Sequence, residues 1–179
     1  MTDDTALEAA LAAIAERGAI GERSLPVAIA HADQFAAAVP NAARRLVDLG
    51  SGGGLPGLVV AVRCPWVQVT LVERRTRRAD LLLRAARSLV LTERVTVVSD
   101  DVRVVAEAQP NSFDVVTARS FAAPAITAQW AGALLVSGGV LIVSEPPTDA
   151  VDRWLPTVLD LAGLRDLGRE QGIRRFERR

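Results

Sequence analysis

Several residue types on which common protein chemistry depends are absent from the sequence or occur only once. Its 179 residues include one cysteine, Cys64, and one histidine, His31, and all 21 basic residues are arginines. A single cysteine excludes an internal disulfide and a cysteine-based zinc site, and we expect no metal site of any kind. The absence of lysine excludes Schiff-base catalysis and the lysine-containing phosphate loop of many nucleotide-binding proteins.

Long hydrophobic runs are also missing. Half of the residues are hydrophobic, but charged or polar residues interrupt them every few positions. No stretch reaches the roughly 18 apolar residues needed to cross a bilayer. The first ten residues, MTDDTALEAA, are acidic and lack the basic start of a signal peptide. We therefore expect a cytoplasmic protein that does not associate with membranes.

Charge is balanced in total but uneven along the chain. The formal net charge is 0, whereas residues 74–94 contain seven arginines and only two acidic residues. A cluster of arginines, called here the arginine patch, stands at the start of a predicted helix: Arg74, Arg75, Arg77 and Arg78. Cations oppose the helix dipole at that end, so an anionic partner such as an RNA backbone is one hypothesis. A solvated arginine surface is the alternative.

The hydrophobic pattern predicts an α/β fold. Residues 5–16 and 25–38 are predicted to be helices, and residues 1–40 to form an N-terminal helical segment before a main domain at 41–179. Apolar strands are then expected to alternate with helices, which is typical of a mostly parallel sheet covered on both faces. The predicted strands are 45–49, 67–72, 95–98, 113–117 and 140–143. The predicted helices are 56–62, 77–90, 102–108, 124–135 and 150–162, followed by an antiparallel pair, 164–168 and 173–177.

A glycine-rich loop follows the first predicted strand. Residues 46–57 read L-V-D-L-G-S-G-G-G-L-P-G, and two cofactor patterns fit them. Gly52, Gly54 and Gly57 match the dinucleotide pattern G-x-G-x-x-G, with an acidic residue, Glu73, about 20 residues further on. The other pattern, an acid followed by G-x-G-x-G after one residue, is typical of S-adenosylmethionine (SAM) sites and begins at Asp48.

Asp48 favours SAM. A carboxylate at the end of an apolar strand is costly unless it has a partner. SAM carries an ammonium and a sulfonium group, whereas the pyrophosphate of a dinucleotide would be repelled. We expect Glu73 to accept hydrogen bonds from the ribose, and Asp101, rather than Asp100, to bind the adenine amino group or to cap a helix. The predicted cofactor residues are Asp48, Gly50, Ser51, Gly52, Gly54, Glu73, Asp101 and Val102.

Two motifs point to a known family. Residues 47–57, V-D-L-G-S-G-G-G-L-P-G, and residues 113–122, F-D-V-V-T-A-R-S-F-A, resemble motifs of the glucose-inhibited division protein B family, and residues 77–82 are a weaker match. These bacterial enzymes methylate small-subunit ribosomal RNA. The resemblance, which covers about residues 40–145, implies a class I SAM-dependent methyltransferase fold, Rossmann-like and seven-stranded. It also implies SAM as methyl donor, guanine N7 of ribosomal RNA in the small subunit as acceptor, and Arg119 as a catalytic residue.

The sequence departs from the family pattern at positions that bear on the identity of the methyl acceptor. Residues 1–40 lack the N-L-T motif of the family, and Glu145 stands where the family has a lysine. Two alternatives therefore remain: a methyltransferase of the same ancestry that acts on a small molecule or another non-ribosomal substrate, and a non-catalytic protein that binds SAM or RNA. The N7 lone pair of guanine needs no general base, which agrees with the scarcity of candidate bases.

Overall fold

Seven strands form one sheet, in the order β3-β2-β1-β4-β5-β7-β6. The computed structural model describes residues 2–21, 24–146 and 152–179. The first five strands are parallel, and β7 is antiparallel to both of its neighbours. The mostly parallel seven-stranded sheet is thereby confirmed. The strands are β1 Arg45–Leu49, β2 Gln68–Val72, β3 Val95–Val98, β4 Phe113–Ala118, β5 Leu135–Ser144, β6 Leu164–Glu170 and β7 Ile173–Arg178.

The helices follow the predicted order with one shifted start. They are α1 Thr2–Ala15, α2 Leu25–Ala37, α3 Gly57–Arg63, α4 Thr76–Ser88, α5 Val102–Ala108, α6 Pro124–Leu134 and α7 Pro156–Leu161. The predicted start of the last helix was wrong: residues 152–155 are not helical, and residues 150 and 151 lie outside the described part. Leu155 is extended because a proline follows it, and Pro156 then opens the helix.

The side chains of each strand point alternately to the two faces of the sheet, and the hydrophobic core therefore has two layers. In β1, Leu46 packs into a hydrophobic cluster with α1–α4, whereas Val47 and Leu49 pack into a second cluster with α5–α7. Successive residues of a strand point to opposite faces, so Asp48 falls on the same face as Leu46. A carboxyl group is therefore placed among apolar side chains, below helix α3.

The two N-terminal helices belong to the first of these clusters. Leu7 and Leu11 of α1 and Phe35 of α2 are at most 1% exposed. Arg63 at the end of α3 forms ion pairs with Asp4 of α1 and Asp33 of α2, which ties the three helices together. The predicted N-terminal helical segment thus packs against helices α3 and α4. Its separation from the rest of the chain at residue 40 stays a prediction.

The parallel strands direct the predicted site residues to one edge of the sheet. β1, β2, β3 and β4 all end there, and the loops after them begin at residues 50, 73, 99 and 119. Within the described ranges, none of the helices is long and apolar enough to span a membrane. The same part of the chain has no group of three His, Cys, Asp or Glu side chains placed to hold a metal ion.

Candidate functional site

The glycine loop after β1 has a backbone that few other residues could adopt. Gly50, Gly52 and Gly54 have φ angles of 66°, 53° and 88°, in the left-handed region that favours glycine. The N–H of Ser51 donates to the carbonyl of Val72 at 2.9 Å, and the N–H of Gly54 donates to the carbonyl of Ser51 at 2.7 Å. The loop is therefore tightly folded and fixed to the end of β2.

Glu73, directly after β2, braces this loop. Its carboxylate accepts a hydrogen bond from the Gly52 N–H at 3.0 Å and another from the Arg75 N–H at 2.8 Å. The residue is only 5% exposed. Sequence reasoning expected Glu73 to bind a ribose and did not anticipate this contact with the loop. Each carboxylate oxygen can accept more than one hydrogen bond, so bracing leaves capacity for a ligand.

A cavity of about 450 Å³, called here the first cavity, opens beside the loop. Four of the predicted cofactor residues line it: Gly50, Glu73, Asp101 and Val102. Its other walls are of two kinds. Phe121, Ile126 and Trp130 supply apolar surface, and three arginines of the arginine patch, Arg74, Arg75 and Arg78, supply positive charge. The lining of the first cavity thus combines acidic, apolar and cationic side chains.

Asp101 caps the helix that follows it. Its carboxylate accepts a hydrogen bond from the Arg103 N–H at 3.0 Å, at the start of α5. Asp100 accepts from the Asp101 N–H at 2.7 Å, and both aspartates line the first cavity. Of the two roles expected for Asp101, the structure contains the helix cap. A capping carboxylate keeps free lone pairs, so it can also accept from a ligand.

Asp48 lies beneath the loop and does not line the first cavity. It is 1% exposed, and its Oδ1 accepts a hydrogen bond from the Thr117 hydroxyl at 2.7 Å. Its Oδ2 has no hydrogen-bond partner among the described residues. Burial raises the pKa of Asp48 to about 6, against the opposing effects of the Thr117 and Ser51 hydroxyls, the Arg119 charge and the Gly57 backbone N–H. Sequence reasoning had expected this carboxylate to face the ligand directly.

Close packing around Asp48 explains the glycine at position 57. A Cβ atom on Gly57 would lie 2.7 Å from Asp48 Oδ2 and 2.4 Å from Leu71. Ser51, also predicted as a cofactor residue, is 1% exposed and donates its hydroxyl to the Asp48 carbonyl at 3.0 Å. Asp48 and Ser51 therefore shape the loop from below.

Thr117 is a site residue that sequence reasoning missed. It is fully buried in β4, directly opposite Asp48 in the parallel register. The sequence indicates it only by a single hydroxyl-bearing residue in the otherwise apolar run V-V-T-A of β4. In the sheet this residue stands beside Asp48 of β1. Two polar residues at one level of adjacent strands indicate a hydrogen-bonded pair, because a buried polar group needs a partner.

A second cavity of about 460 Å³ adjoins the first. It contains Arg119, the predicted catalytic residue, together with His31, Glu145 and Arg153. Ser120 lines both cavities and has a φ of 54°, which is unusual for a residue with a side chain. The chain therefore turns sharply at Ser120, with Arg119 on one side of the turn and the first cavity on the other.

The connection between α1 and α2 forms one wall of the second cavity. Ile20 and Gly21 line it. A Cβ atom on Gly53 would lie 2.4 Å from the Ile20 side chain and 2.7 Å from the Ala19 carbonyl, so this connection packs on the glycine loop. The N-terminal segment thereby contributes to the site, which the motifs of the central region did not reveal.

Comparison with known proteins matches this chain to one family. The family model described as "GidB: rRNA small subunit methyltransferase G" matches residues 9–145. The chain is 33% identical over 141 residues to ribosomal RNA small subunit methyltransferase G of Prochlorococcus marinus, covering 73% of this chain and 57% of that protein. It is 46% identical over 78 residues to the protein of the same name from Rhizorhabdus wittichii, covering 44% and 35%. The chain therefore spans between a third and three fifths of the length of these relatives.

Solved structures show the same fold at low identity. Cofactor-bound Rv0187 from MTB has a TM-score of 0.69 and 20% identity, covering 98% of this chain and 90% of that one. An O-methyltransferase family protein from Burkholderia thailandensis has a TM-score of 0.70 and 18% identity, covering 85% and 56%. These similarities confirm the predicted class I methyltransferase fold.

Proposed function

Because this chain belongs to the GidB family, rRNA small subunit methyltransferase G, we propose that it transfers a methyl group from SAM to small-subunit ribosomal RNA. Guanine N7 is the acceptor atom in this proposal, and the cytoplasm is the place of action. The observation that carries it is the pair of adjoining cavities: one holds the acidic residues after β2 and β3, and the other holds Arg119. A donor and an acceptor can thus be held side by side.

The residues around the first cavity fit SAM. The left-handed glycines allow close approach of a ligand to the backbone. Glu73 has lone pairs for the ribose hydroxyls, and Asp101 and Val102 border the place for adenine. Asp48 has a buried oxygen with no hydrogen bond in the described chain, and its negative charge favours a cationic ligand on the other side of the loop. SAM supplies a methyl group on a positively charged sulfur, which makes that carbon electrophilic.

The second cavity fits an acceptor that needs positioning rather than deprotonation. Guanine N7 carries an in-plane lone pair, so the chain has no proton to remove before transfer. Arg119 donates to guanine O6 or to a neighbouring phosphate and so orients the base. Ile20 and the turn at Ser120 border the same space. Placement of the reacting atoms is the main contribution of the protein.

The arginine patch supports an RNA acceptor. In the part of the chain that the structure describes, Arg74, Arg75, Arg77 and Arg78 form no ion pairs. Three of them line the rim of the first cavity. Arginine side chains that no carboxylate neutralises can bind RNA phosphates.

The test is methyl transfer to small ribosomal subunits from a strain that lacks the corresponding methyltransferase gene. With labelled SAM, we expect incorporation at guanine N7. Arg119→Gln should reduce turnover at least tenfold with little change in SAM affinity, because Arg119 lines the acceptor side. Glu73→Ala should weaken SAM binding by about 1–3 kcal/mol, measured by calorimetry. Arg103→Gln, on the exposed surface of α5, is the matched control.

Two results would count against the proposal in different ways. Failure to bind SAM would reject the methyltransferase assignment and leave a pure RNA-binding protein. Normal SAM binding without methylation of ribosomal subunits would favour a small-molecule acceptor, the alternative that the net charge of 0 supports.

A further inference from the structure

Glu145, at the end of β5, is a buried carboxylate with a defined set of partners. Its side chain is 4% exposed. One oxygen, Oε1, accepts from the Trp154 indole N–H at 2.7 Å and from Arg153 Nη2 at 3.1 Å. The Glu145 N–H donates to the Gly172 carbonyl at 2.8 Å, which fixes the backbone as well. The carboxylate therefore has little freedom to move.

The base of this arrangement is rigid. Trp154 is 4% exposed and packs on Phe176 of β7, with ring centroids 4.6 Å apart. Phe176 is fully buried in the second core cluster. Arg153 is thus attached to a carboxylate that is itself fixed to the core, although half of the Arg153 side chain remains exposed.

Arg153 uses only one of its three nitrogens in these contacts. Both of its hydrogen bonds within the described chain, to Glu145 and to the Ser144 carbonyl, come from Nη2. Nε and Nη1 are left with N–H groups for a ligand. Arginine binds phosphate through two such parallel bonds, and a guanidinium fixed in advance loses less entropy on binding.

The charge around Arg153 favours an anion. The second cavity contains two arginines, Arg119 and Arg153, against one acid, Glu145. The Glu145 side chain is 4% exposed, whereas the Arg153 side chain is 47% exposed. The accessible charged group of this pair is therefore the guanidinium.

We infer that Arg153 binds a phosphodiester of the acceptor RNA at the mouth of the second cavity, and that Glu145 is the positioning residue that holds its guanidinium. The inference deepens the proposed function and rests on it for the identity of the RNA. The carboxylate of SAM is the other anion that a cationic cavity could accept. RNA is favoured because Arg153 follows β5, whereas the predicted SAM residues follow β1, β2 and β3.

The test measures binding of a fluorescein-labelled single-stranded RNA oligonucleotide and of unmethylated small ribosomal subunits, alongside calorimetry with SAM. Arg153→Gln should weaken binding of both RNAs about tenfold and reduce the slope of log affinity against log salt by about one. The SAM affinity should change less than twofold. Arg153→Lys should restore the salt slope but only part of the affinity, since lysine lacks the two parallel donors.

Two further variants separate positioning from folding. Glu145→Gln keeps an acceptor for the Trp154 N–H but loses the charge that holds Arg153, so it should raise the KM for subunits and leave kcat nearly unchanged. Arg165→Gln removes another exposed arginine, paired with Glu177 on the β6–β7 hairpin, and should behave as wild type. Equal melting temperatures would exclude misfolding of the variants.

The outcomes distinguish this inference from the proposed function. Unchanged RNA affinity in Arg153→Gln, or a loss of SAM affinity alone, would overturn the phosphate contact even if the enzyme methylates ribosomal subunits. Absence of RNA binding in the wild-type protein would overturn it as well. Arg153-dependent RNA binding without methylation would support the contact and reject the proposed function.

Discussion

Burial of the Asp48 carboxylate lowers the stability of the folded chain. Its carboxyl group is 1% exposed and has a hydrogen bond on one oxygen only, so ionisation in the folded state is opposed by burial. The pKa of Asp48 rises from 3.8 to about 6 for this reason. A difference of about two pKa units corresponds to about 3 kcal/mol. In the proposed function, this cost accompanies the attraction of the Asp48 charge for the cationic cofactor.

The pH dependence of stability follows from the sign of this shift. The folded chain binds more protons than the unfolded chain between about pH 4 and 6, because the pKa of Asp48 is higher in the folded state. The free energy of unfolding therefore falls as the pH rises through this window, and the full cost is present above it. Asp48→Asn cannot ionise and should be more stable than wild type by about 2–3 kcal/mol at pH 8.

Chemical denaturation at pH 4 and pH 8 measures this difference. The advantage of Asp48→Asn should shrink towards pH 4, and its SAM affinity should be weaker because the negative charge below the loop is gone. Asp80→Asn, a matched change on the exposed surface of α4, should not remove the pH trend of the wild type. A variant less stable than wild type at pH 8 would show that the Asp48 charge is satisfied by a partner.

Residue-level roles were only partly predictable from the sequence. The glycine loop, Glu73 and Asp101 follow from strand ends and residue type, and the structure brings Gly50 of the loop, Glu73 and Asp101 to one cavity. The burial of Asp48 and its bond to Thr117 depend on the register between β1 and β4, which is a long-range property. Arg153 and Trp154 were missed because their roles depend on a carboxylate eight and nine residues earlier in the chain.

At the level of elements, the glycine loop and the α1–α2 connection form one packed unit. Gly53 is the contact point between them. Because the opposing group includes the Ala19 backbone carbonyl, a side chain at this position cannot be accommodated by rotation of a neighbouring side chain alone. One of the two segments would have to move.

Gly53→Ala should therefore lower the free energy of unfolding by about 1–3 kcal/mol, the usual cost of overpacking a well-packed contact. It should also weaken SAM binding, since the loop is displaced. Gly21→Ala is the matched control: no described atom lies within 4 Å of its added Cβ, and its φ is outside the left-handed region. Denaturant unfolding and calorimetry on both variants test this, and equal stability of the two would show that the contact gives way without cost.

Element boundaries were most predictable where local signals are strong. The strands at 45–49 and 95–98 and the helix at 102–108 have the predicted bounds. β5 begins five residues earlier than expected, because Leu135 pairs with Phe113 across an irregularity in the ladder. Such pairing is set by the neighbouring strand and not by the local sequence. The division of the chain at residue 40 and the roles of the cofactor residues stay predictions.

At the level of the whole molecule, positive and negative charges are equal in number but are unevenly distributed. The formal net charge is 0, yet three of the four arginines of the arginine patch line the first cavity. None of the four forms an ion pair in the described part of the chain. A balanced total charge weakens long-range attraction to RNA, so binding must depend on local contacts. The distribution of arginines then determines the salt dependence.

Replacing Arg74, Arg75, Arg77 and Arg78 together by glutamine tests this distribution. Each phosphate contact that is lost should reduce the slope of log affinity against log salt by about one, so the variant should lose about three to four units of slope if all four arginines bind phosphate. Its KM for ribosomal subunits should rise while the methylated atom stays the same.

Replacement of Arg17, Arg165, Arg169 and Arg179 removes an equal charge from other surfaces and should change the slope by less than one unit. Equal slopes in the two variants would assign the effect to total charge, and full activity of the arginine-patch variant with a salt-independent acceptor affinity would exclude RNA as the acceptor.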